Sequence, residues 1–417
     1  MKILKITGGN TLKGTVKISG AKNSAVALIP AAILCDEKVT LTNVPNISDT
    51  QNLEVILDYL NAKYDKQGDK VTIDTSEMEN REINEELSKK LRASYYFMGA
   101  LLGKYKKAEV SFPGGCTIGE RPIDQHLKGF KALGAKIEYD EDKIILTAEE
   151  LKGTNIYLDF ASVGATINIM LAAVKAKGTT IIDNAAKEPE IVNVAMFLNS
   201  MGAKISGAGT SKIKIKGVNK LKSSTHEVIP DRIEAATYIM LGALICEDLT
   251  VENLISEHIE ALTKKLKEMG ADIKVEEDKV HITNKNKLKA NRIRTQVYPG
   301  FVTDMQQIMA TLMTQAEGTS MIEETIYENR FQNLYELKKM GANIKVEGNK
   351  AYITGKTPLN HEVVTASDLR AGAGLVVAAL IADGETTINN AKYILRGYED
   401  IVEKLTSLGA KIELIEI

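Results

Sequence analysis

One short phrase recurs along the chain and constrains its fold more than any other feature. Leucine or methionine, glycine, alanine, a polar residue and isoleucine follow one another at five places, whose alanines are Ala135, Ala203, Ala271, Ala342 and Ala410. A sixth, degraded copy reads Leu60-Asn61-Ala62. Successive alanines are separated by 73, 68, 68, 71 and 68 residues, so six units of one size account for the whole chain.

Each repeat predicts the same succession of elements. Apolar side chains at helical spacing in residues 259–269 end at Gly270, where a helix C-cap favours a residue of positive φ. Residues 212–216 alternate lysine with isoleucine, as a strand does, and residues 165–176 form a second, more apolar helix. The unit therefore reads strand, helix, strand, helix, strand, strand. Six such units are too long for a solenoid and predict an α/β protein with two globular domains of three units each.

The composition narrows the class of protein. The 53 basic and 55 acidic side chains leave a net charge of −2, which argues against a nucleic-acid-binding protein. We expect neither a transmembrane helix nor a secretory signal, because no run of 18 apolar residues occurs and the first residues lack a long apolar stretch. The three cysteines and five histidines are scattered, which predicts no disulfide framework and no metal site. These features are typical of a cytoplasmic globular protein.

A polar stretch separates the third repeat from the fourth. Residues 218–225 are rich in lysine and serine and carry few apolar side chains. We therefore expect the boundary between the two domains near residues 220–230.

The second repeat is longer than the others because of a loop. Residues 112–122 contain three glycines and two prolines, a composition typical of a mobile lid. Cys116 stands at its centre, close to Arg121, and is either a nucleophile or proton donor of lowered pKa or an incidental surface thiol. Cys35 and Cys246 instead end apolar stretches at matching places in repeats one and four, which predicts buried structural thiols.

The arginines are few, and their placement within the repeats is a second indication of function. The chain has 44 lysines and nine arginines, and six of the nine lie at helix starts or connecting loops of the repeats: Arg92, Arg121, Arg232, Arg330, Arg370 and Arg396. The planar guanidinium binds a carboxylate or phosphate at two points, which suggests an anionic ligand. Ordinary ion pairs with Asp231, Glu234 or Asp368 are the alternative.

The predicted helix starts carry cations as well as N-cap residues. Ser162, Asp231, Thr303 and Ser367 are expected N-caps. Lys22 and the arginines have no such explanation, because the helix dipole disfavours cations at this end. A bound anion would account for them.

Ten short motifs resemble the enolpyruvyl transferase family, in the branch that acts on a nucleotide sugar, and they span essentially the whole chain. They are residues 20–24, 113–119, 121–124, 162–166, 188–192, 230–234, 303–306, 328–331, 368–371 and 396–398. The resemblance implies a two-domain, inside-out α/β barrel fold with three repeats in each domain. It also implies the division into residues 22–229, which carry the Cys116 loop, and residues 1–21 with 230–417.

The resemblance further implies a reaction. The enolpyruvyl group of phosphoenolpyruvate would pass to the 3′-hydroxyl of UDP-N-acetylglucosamine by addition and elimination, with release of phosphate and no cofactor or metal. Cys116 would deliver a proton to the methylene carbon, react with the epoxide fosfomycin, and form an adduct with phosphoenolpyruvate. Asp304 would accept the proton of the sugar hydroxyl. Phosphoenolpyruvate would be held by Lys22, Arg121 and Arg396, with Arg370 nearby, and Asn23 would contact the substrate.

A further set of residues matches the family's positions for the nucleotide sugar. It comprises Arg92, Arg121, Pro122, Ile123, Asp124, Gln125, Phe160, Ala161, Ser162, Val163, Asp304 and Ile326. The expected partners are therefore these two small substrates, with neither nucleic acid nor membrane. The chain departs from the family pattern at Phe160, where some members have lysine, at Val302, where proline is usual, and at residues 393–395, where His-Ile-Asp is usual.

Two other functions stay open at this stage. One is a transferase like 5-enolpyruvylshikimate-3-phosphate synthase, which shares the fold and the phosphoenolpyruvate chemistry. The other is a non-catalytic copy that binds the nucleotide sugar. Residues 114–116 and 121–124 favour the nucleotide sugar as substrate, and the joint presence of the expected reactive residues favours an enzyme.

Overall fold

The computed structural model describes residues 2–112, 122–140 and 142–417. These residues divide into two compact units, one of residues 2–19 and 230–417 and the other of residues 20–112 and 122–229. Gly20 and Ala21, which the resemblance assigns to the domain of the C-terminal half, belong to the second of these units. In the part of the chain described here, no helix is both long and apolar enough to cross a bilayer.

The first 229 residues contain two N-terminal strands and the first three repeats. In chain order the elements are β1 (Lys2–Thr7), β2 (Leu12–Lys17), α1 (Lys22–Ala32), β3 (Val39–Thr42), α2 (Ser48–Tyr59), β4 (Lys63–Gln67), β5 (Lys70–Asp74), α3 (Glu85–Lys90), a 3-10 turn (Arg92–Tyr95), α4 (Tyr96–Tyr105), β6 (Lys107–Ser111), α5 (Asp124–Ala132), β7 (Lys136–Asp140), β8 (Lys143–Thr147), β9 (Asn155–Tyr157), α6 (Val163–Ala173), β10 (Thr179–Asp183), α7 (Pro189–Ser200), β11 (Lys204–Ser206), β12 (Lys212–Lys216) and β13 (Thr225–Glu227).

The remaining residues form the last three repeats. Their elements are α8 (Arg232–Ile245), β14 (Cys246–Glu252), a 3-10 turn (Ser256–Ile259), α9 (Glu260–Glu268), β15 (Asp272–Val275), β16 (Lys279–Thr283), β17 (Arg292–Arg294), a 3-10 turn (Thr303–Met305), α10 (Gln306–Met313), β18 (Gly318–Glu323), α11 (Gln332–Lys339), β19 (Asn343–Glu347), β20 (Lys350–Gly355), β21 (Val363–Thr365), α12 (Leu369–Ile381), β22 (Glu385–Asn389), a 3-10 turn (Ala391–Arg396), α13 (Ile401–Ser407) and β23 (Lys411–Glu416).

Each repeat builds one small sheet, and the third repeat shows the pattern most plainly. Its strand order is β11-β12-β10-β9, with β9 parallel to β10 and the other pairs antiparallel. Along β12, Ile213 and Ile215 are buried while the lysines between them are exposed, so one face of the sheet meets solvent. The predicted order of strand, helix, strand, helix, strand, strand is confirmed.

The chain exchanges the first strands of repeats one and four. β13 pairs in parallel with β3 of the first repeat, and β2 pairs in parallel with β14 of the fourth. β1 lies between β22 and β23 and completes the last sheet. The polar stretch 218–225 is consequently not a free linker, because the carbonyl of Ser224 accepts a hydrogen bond from Thr40 N at 2.9 Å. The break between the units falls between Ile229 and Pro230.

Apolar helices fill the interior of each unit, and the sheets lie outside them. α1, α4 and α6 are buried over nearly their whole length in one unit, as are α8, α10 and α12 in the other. α4 and α6 approach closely because Gly99 has no side chain: a Cβ there would stand 2.3 Å from the Asn168 carbonyl oxygen. Asn168 Oδ1 also accepts a hydrogen bond from Gly99 N at 2.8 Å. This is the predicted inside-out α/β arrangement.

The recurring phrase ends the outer helix of every repeat. Its glycines at positions 134, 202, 270, 341 and 409 all have φ between 90° and 102°. Asn61 in the degraded copy has φ of 60°, a conformation that asparagine tolerates better than most residues. The predicted helix C-caps are confirmed.

Candidate active site

In the unit of residues 230–417, Asp304 is held between two arginines. Its Oδ1 lies 2.9 Å from Arg330 Nη2, and its Oδ2 lies 3.4 Å from Arg370 Nε. Both guanidinium side chains are only 4% exposed, whereas that of Asp304 is 29% exposed. The carboxylate is thus fixed in orientation and still accessible from one side.

Arg370 is the second residue of α12, and its backbone N–H and that of Ala371 donate to Asp368 at 2.9 and 3.0 Å. Its guanidinium carbon stands 5.7 Å from the centre of the Tyr398 ring. Burial opposes the charge, but Tyr398 and Asp304 together hold the pKa of Arg370 above its ordinary value. Nη1 is buried and has no hydrogen-bond partner within the described ranges, so its N–H donors are unsatisfied there.

Two expected helix caps are wrong. Asp368, not Ser367, caps α12, and the Ser367 hydroxyl donates to the Asp368 carboxylate at 3.2 Å. Thr303 is not an N-cap, since it lies inside the 3-10 turn that follows Val302, and its hydroxyl donates to Glu324 Oε2 at 2.8 Å. Ser162 and Asp231 do cap their helices as predicted. In both failed caps the hydroxyl instead donates to a neighbouring carboxylate.

Glu324 is a buried carboxylate that sequence reasoning missed. Its Oε1 accepts hydrogen bonds from Thr295 Oγ1 and from Ile326 N, each at 2.8 Å, and the side chain is almost completely buried. A signal was present in the repeats. Asparagine follows the corresponding strand in four of them, at Asn43, Asn184, Asn253 and Asn390, and the fifth repeat has Glu324 there instead.

Arg396 closes the 3-10 turn of the last repeat and is half-buried. Two residues later, Tyr398 is buried, and its hydroxyl hydrogen-bonds to Thr237 Oγ1 at 2.8 Å. Burial raises the pKa of Tyr398, although Arg370 acts in the opposite direction. Tyr398 therefore links the turn that carries Arg396 to the arginine that contacts Asp304.

The unit of residues 20–229 contains the second group of predicted site residues. Lys22 begins α1, and its Nζ lies 3.1 Å from Oδ2 of Asp49, whose side chain is 2% exposed. Lys22, for which the sequence offered no structural explanation, therefore has a buried carboxylate beside it. Asn23 follows it on the first turn of α1 and is half-buried. The buried carboxylate of Asp49 thus fixes the position of Lys22.

Arg92 begins a 3-10 turn that is joined to two other helix starts. The ring of Tyr95 in this turn stands edge-on to His126 of α5, with centroids 5.0 Å apart. Asn168 of α6 hydrogen-bonds to His126 Nδ1 and to the Tyr95 carbonyl, both at 2.9 Å. These contacts join the 3-10 turn that begins at Arg92 to the first turn of α5 and to the middle of α6.

Gln125 couples two segments that were predicted to contact the nucleotide sugar. Its Nε2 donates to Asp159 Oδ2 and its Oε1 accepts from Asp159 N, both at 2.9 Å. The hydrogen bond from Lys128 lowers the pKa of Asp159 most, and that from Gln125 lowers it further, so the carboxylate stays ionised. Phe160 comes next and is 51% exposed, followed by half-buried Ala161, Ser162 and Val163. Ahead of Gln125, Pro122 and Asp124 are exposed and Ile123 is half-buried.

The cysteines that were expected to be structural are fully buried. Cys35 and Cys246 each have no exposed surface, and burial raises both pKa values, that of Cys246 to about 12. Neither thiol forms a reactive thiolate readily, as predicted. Cys116 and Arg121 lie outside the described residues. Within those residues no group of three histidine, cysteine, aspartate or glutamate side chains could hold a metal ion.

Asp231, Glu234 and Asp368 were the carboxylates that could have paired with the arginines. Glu234 forms an ion pair, but with a lysine. Glu234 pairs with Lys404 at 2.6 Å, and Asp231 accepts hydrogen bonds from the first turn of α8. Arg370 has Asp304 as its partner instead of Asp368. Arg330 and Arg370 therefore both contact the predicted base, Asp304.

Comparison with known proteins gives consistent results. Residues 6–405 match the family model described as EPSP synthase (3-phosphoshikimate 1-carboxyvinyltransferase). The chain is 52% identical over 412 residues to UDP-N-acetylglucosamine 1-carboxyvinyltransferase 2 of Geobacillus kaustophilus, covering 99% of this chain and 96% of the relative. It is 53% identical over 420 residues to UDP-N-acetylglucosamine 1-carboxyvinyltransferase 1 of Staphylococcus haemolyticus, covering 100% and 99%.

Solved structures share the architecture. The enolpyruvyl transferase NikO from Streptomyces tendae is 28% identical, with a TM-score of 0.89 and 99% of each chain covered. An EPSP synthase from Acinetobacter baumannii is 21% identical, with a TM-score of 0.79 and full coverage of both chains, which shows a shared fold alone. These likenesses confirm the predicted fold class.

Proposed function

The chain belongs to the enolpyruvyl transferase family, and from this premise we propose that it transfers the enolpyruvyl group of phosphoenolpyruvate to the 3′-hydroxyl of UDP-N-acetylglucosamine. The observation that carries the proposal is identity of 52–53% over nearly the full length with relatives that bear the name of this activity. Such an enzyme supplies the first committed step of peptidoglycan precursor synthesis. Both substrates are cytoplasmic metabolites, so we place the protein in the cytoplasm.

Asp304 is the proposed base for the acceptor hydroxyl. A general base must hold its oxygen within hydrogen-bond reach of the proton that it removes. Arg330 and Arg370 restrain the Asp304 carboxylate from both sides and leave part of it accessible, which supports this role. The same arginines offset the negative charge of a carboxylate placed near anionic substrates.

A group of cations is proposed to bind phosphoenolpyruvate. Lys22, Arg121 and Arg396 would hold its phosphate and carboxylate, with Arg370 nearby and Asn23 in contact with the reacting group. Nη1 of Arg370 is buried and has no hydrogen-bond partner among the described residues, which supports an anion close to Asp304. Guanidinium groups fixed before the substrate arrives stabilise charge that develops in the transition state.

The nucleotide sugar is proposed to contact two segments joined by Gln125 and Asp159. One runs from Arg121 to Gln125, and the other covers residues 160–163. The exposed ring of Phe160 offers an apolar surface next to a helix start capped by Ser162. Arg92, Asp304 and Ile326 complete the proposed set. We assign Cys116 as the proton donor to the methylene carbon of phosphoenolpyruvate.

Release of phosphate on mixing the substrates tests the function. We expect the protein to release phosphate from phosphoenolpyruvate in the presence of UDP-N-acetylglucosamine, without added metal or cofactor. Shikimate 3-phosphate in place of the nucleotide sugar tests the sister activity, and should yield no release. Binding of UDP-N-acetylglucosamine without turnover would identify a non-catalytic copy. Turnover with shikimate 3-phosphate alone would contradict the proposed acceptor.

A further inference from the structure

The fifth repeat replaces a structural asparagine with a buried carboxylate. In three of the other repeats, the asparagine after this strand donates to a carbonyl on the adjacent parallel strand segment: Asn43 to Val228, Asn184 to Leu158 and Asn253 to Ile18. Glu324 stands at the same place after β18, and its neighbour at the matching position after β17 is Thr295. The direction of the hydrogen bond is thereby reversed, since Glu324 accepts where the asparagines donate.

The two carboxylate oxygens of Glu324 serve different segments. Oε2 accepts from Thr303, the residue before Asp304, at 2.8 Å. Oε1 accepts from Thr295 Oγ1 and Ile326 N at 2.8 Å, and more distantly from Tyr327 N at 3.4 Å. One side chain therefore ties the 3-10 turn of Asp304 to the loop that carries Ile326.

We propose that Glu324 is a positioning residue, which sets Asp304 and the Ile326 loop in register with each other for the acceptor sugar. The inference rests on the proposed function, in which Asp304 removes the proton of the sugar hydroxyl and Ile326 contacts the nucleotide. Glu324 is 3% exposed, so it would act through these two residues and not by contact with the substrates.

A carboxylate suits this task better than the amide found in the other repeats. The four donors that surround Glu324 need two acceptor oxygens, and asparagine or glutamine offers only one. Burial of a carboxylate is unfavourable unless hydrogen bonds compensate it, and here they do. Since displacement of a catalytic group by about 1 Å can lower a rate on the order of 10²-fold, a fixed turn has a direct effect on turnover.

Thr303→Val and Glu324→Gln distinguish the two connections made by Glu324, one to Thr303 and the other to the loop of Ile326. Thr303→Val removes only the hydroxyl that ties the Asp304 turn, so we expect kcat to fall roughly tenfold while the Kd for UDP-N-acetylglucosamine is unchanged. Glu324→Gln weakens the hydrogen bonds to both segments. We therefore expect a kcat loss at least as large, together with a raised Kd for UDP-N-acetylglucosamine. The double variant should be no slower than Glu324→Gln alone, because both changes break one connection.

Asn253→Asp is the matched control. It removes the equivalent donor in the fourth repeat, so it should lower the melting temperature and leave kcat unchanged. If Glu324→Gln does not fold, Thr303→Val carries the test by itself, since Glu324 then keeps its other hydrogen bonds. If folded Thr303→Val and Glu324→Gln variants keep the wild-type kcat and Kd, the inference about Glu324 is overturned, whereas the proposed function is not. A wild-type protein that releases no phosphate would contradict the proposed function and the inference with it.

Discussion

Asp304 accepts a hydrogen bond from Arg330 at 2.9 Å, although 26 residues of chain separate them. The guanidinium is almost completely buried, so its own position is set by packing in the unit of residues 230–417. Arg370 approaches the opposite oxygen of the same carboxylate. The predicted base is consequently held in one orientation before any substrate binds, which is the condition for efficient proton removal.

Asp304→Asn should nearly abolish turnover and leave binding intact. The amide has the shape of the carboxylate but cannot accept a proton, and loss of a positioned base typically lowers the rate on the order of 10²–10⁴-fold. The two arginines lose an anionic partner, so we also expect a stability loss of about 1–3 kcal/mol. Steady-state kinetics, thermal unfolding and calorimetric binding of UDP-N-acetylglucosamine measure the three effects. Full turnover by a folded variant would refute the assignment of Asp304.

Arg396→Lys should impair the use of phosphoenolpyruvate much more than that of the nucleotide sugar. Lysine keeps the charge but loses the two-point fork that matches a carboxylate or phosphate. We expect roughly a tenfold or larger loss in kcat/KM for phosphoenolpyruvate. Kinetics with each substrate varied, and direct binding of UDP-N-acetylglucosamine alone, provide the measurement. Wild-type behaviour toward phosphoenolpyruvate would reduce Arg396 to a structural arginine next to Tyr398.

Cys116 should be the thiol that fosfomycin alkylates, and the reaction should be faster in the presence of UDP-N-acetylglucosamine. The other two cysteines are fully buried and their pKa values are raised, so they present little thiolate to an epoxide. Peptide mass mapping identifies the modified residue, and Cys116→Ser serves as the control that should not react. Modification mainly at Cys35 or Cys246 would contradict this prediction.

Local features of the fold could be predicted from the sequence because they depend on a few neighbouring residues. The positive φ of Gly270 and the alternating burial of β12 follow from backbone sterics and from a period of two. Pairing of β13 with β3 and of β2 with β14 could not be predicted, because strand pairing over such distances leaves no mark on local periodicity. The polar stretch 218–225 accordingly predicts a domain boundary but not the strand β13 that it leads into.

In the candidate site, too, residue types could be predicted from the sequence, whereas contacts between distant residues could not. Asp304 and Arg370 were found by residue type and by resemblance, but their contact joins residues 66 positions apart and appears only in the folded chain. Lys22 was expected to need an anionic ligand, and burial of Asp49 beside it supplies a counter-ion that no spacing rule predicts. Glu324 could have been found from the sequence, because it breaks a pattern that four other repeats keep.

Glu234→Gln should change the pH dependence of stability. Glu234 is fully buried in α8, with Lys404 Nζ 2.6 Å from Oε1 and Ser19 N donating to Oε2 at 2.9 Å. Burial raises its pKa from 4.5 to about 7, although Lys404 acts in the opposite direction. Between these two values the folded protein binds a proton that the unfolded chain has released, so the free energy of unfolding falls as pH rises from about 4.5 to about 7 and is level above that.

At about 1.4 kcal/mol per pKa unit, the wild type should lose about 3 kcal/mol more than Glu234→Gln across this window. Denaturant unfolding at pH 4.5 and pH 7.5 measures the difference between the two proteins, in which other titrating groups cancel. Glu247→Gln is the control, since Glu247 is exposed and 4.0 Å from Lys13, and its curve should follow that of the wild type. Parallel curves for the wild type and Glu234→Gln would mean that Lys404 keeps the buried carboxylate ionised throughout.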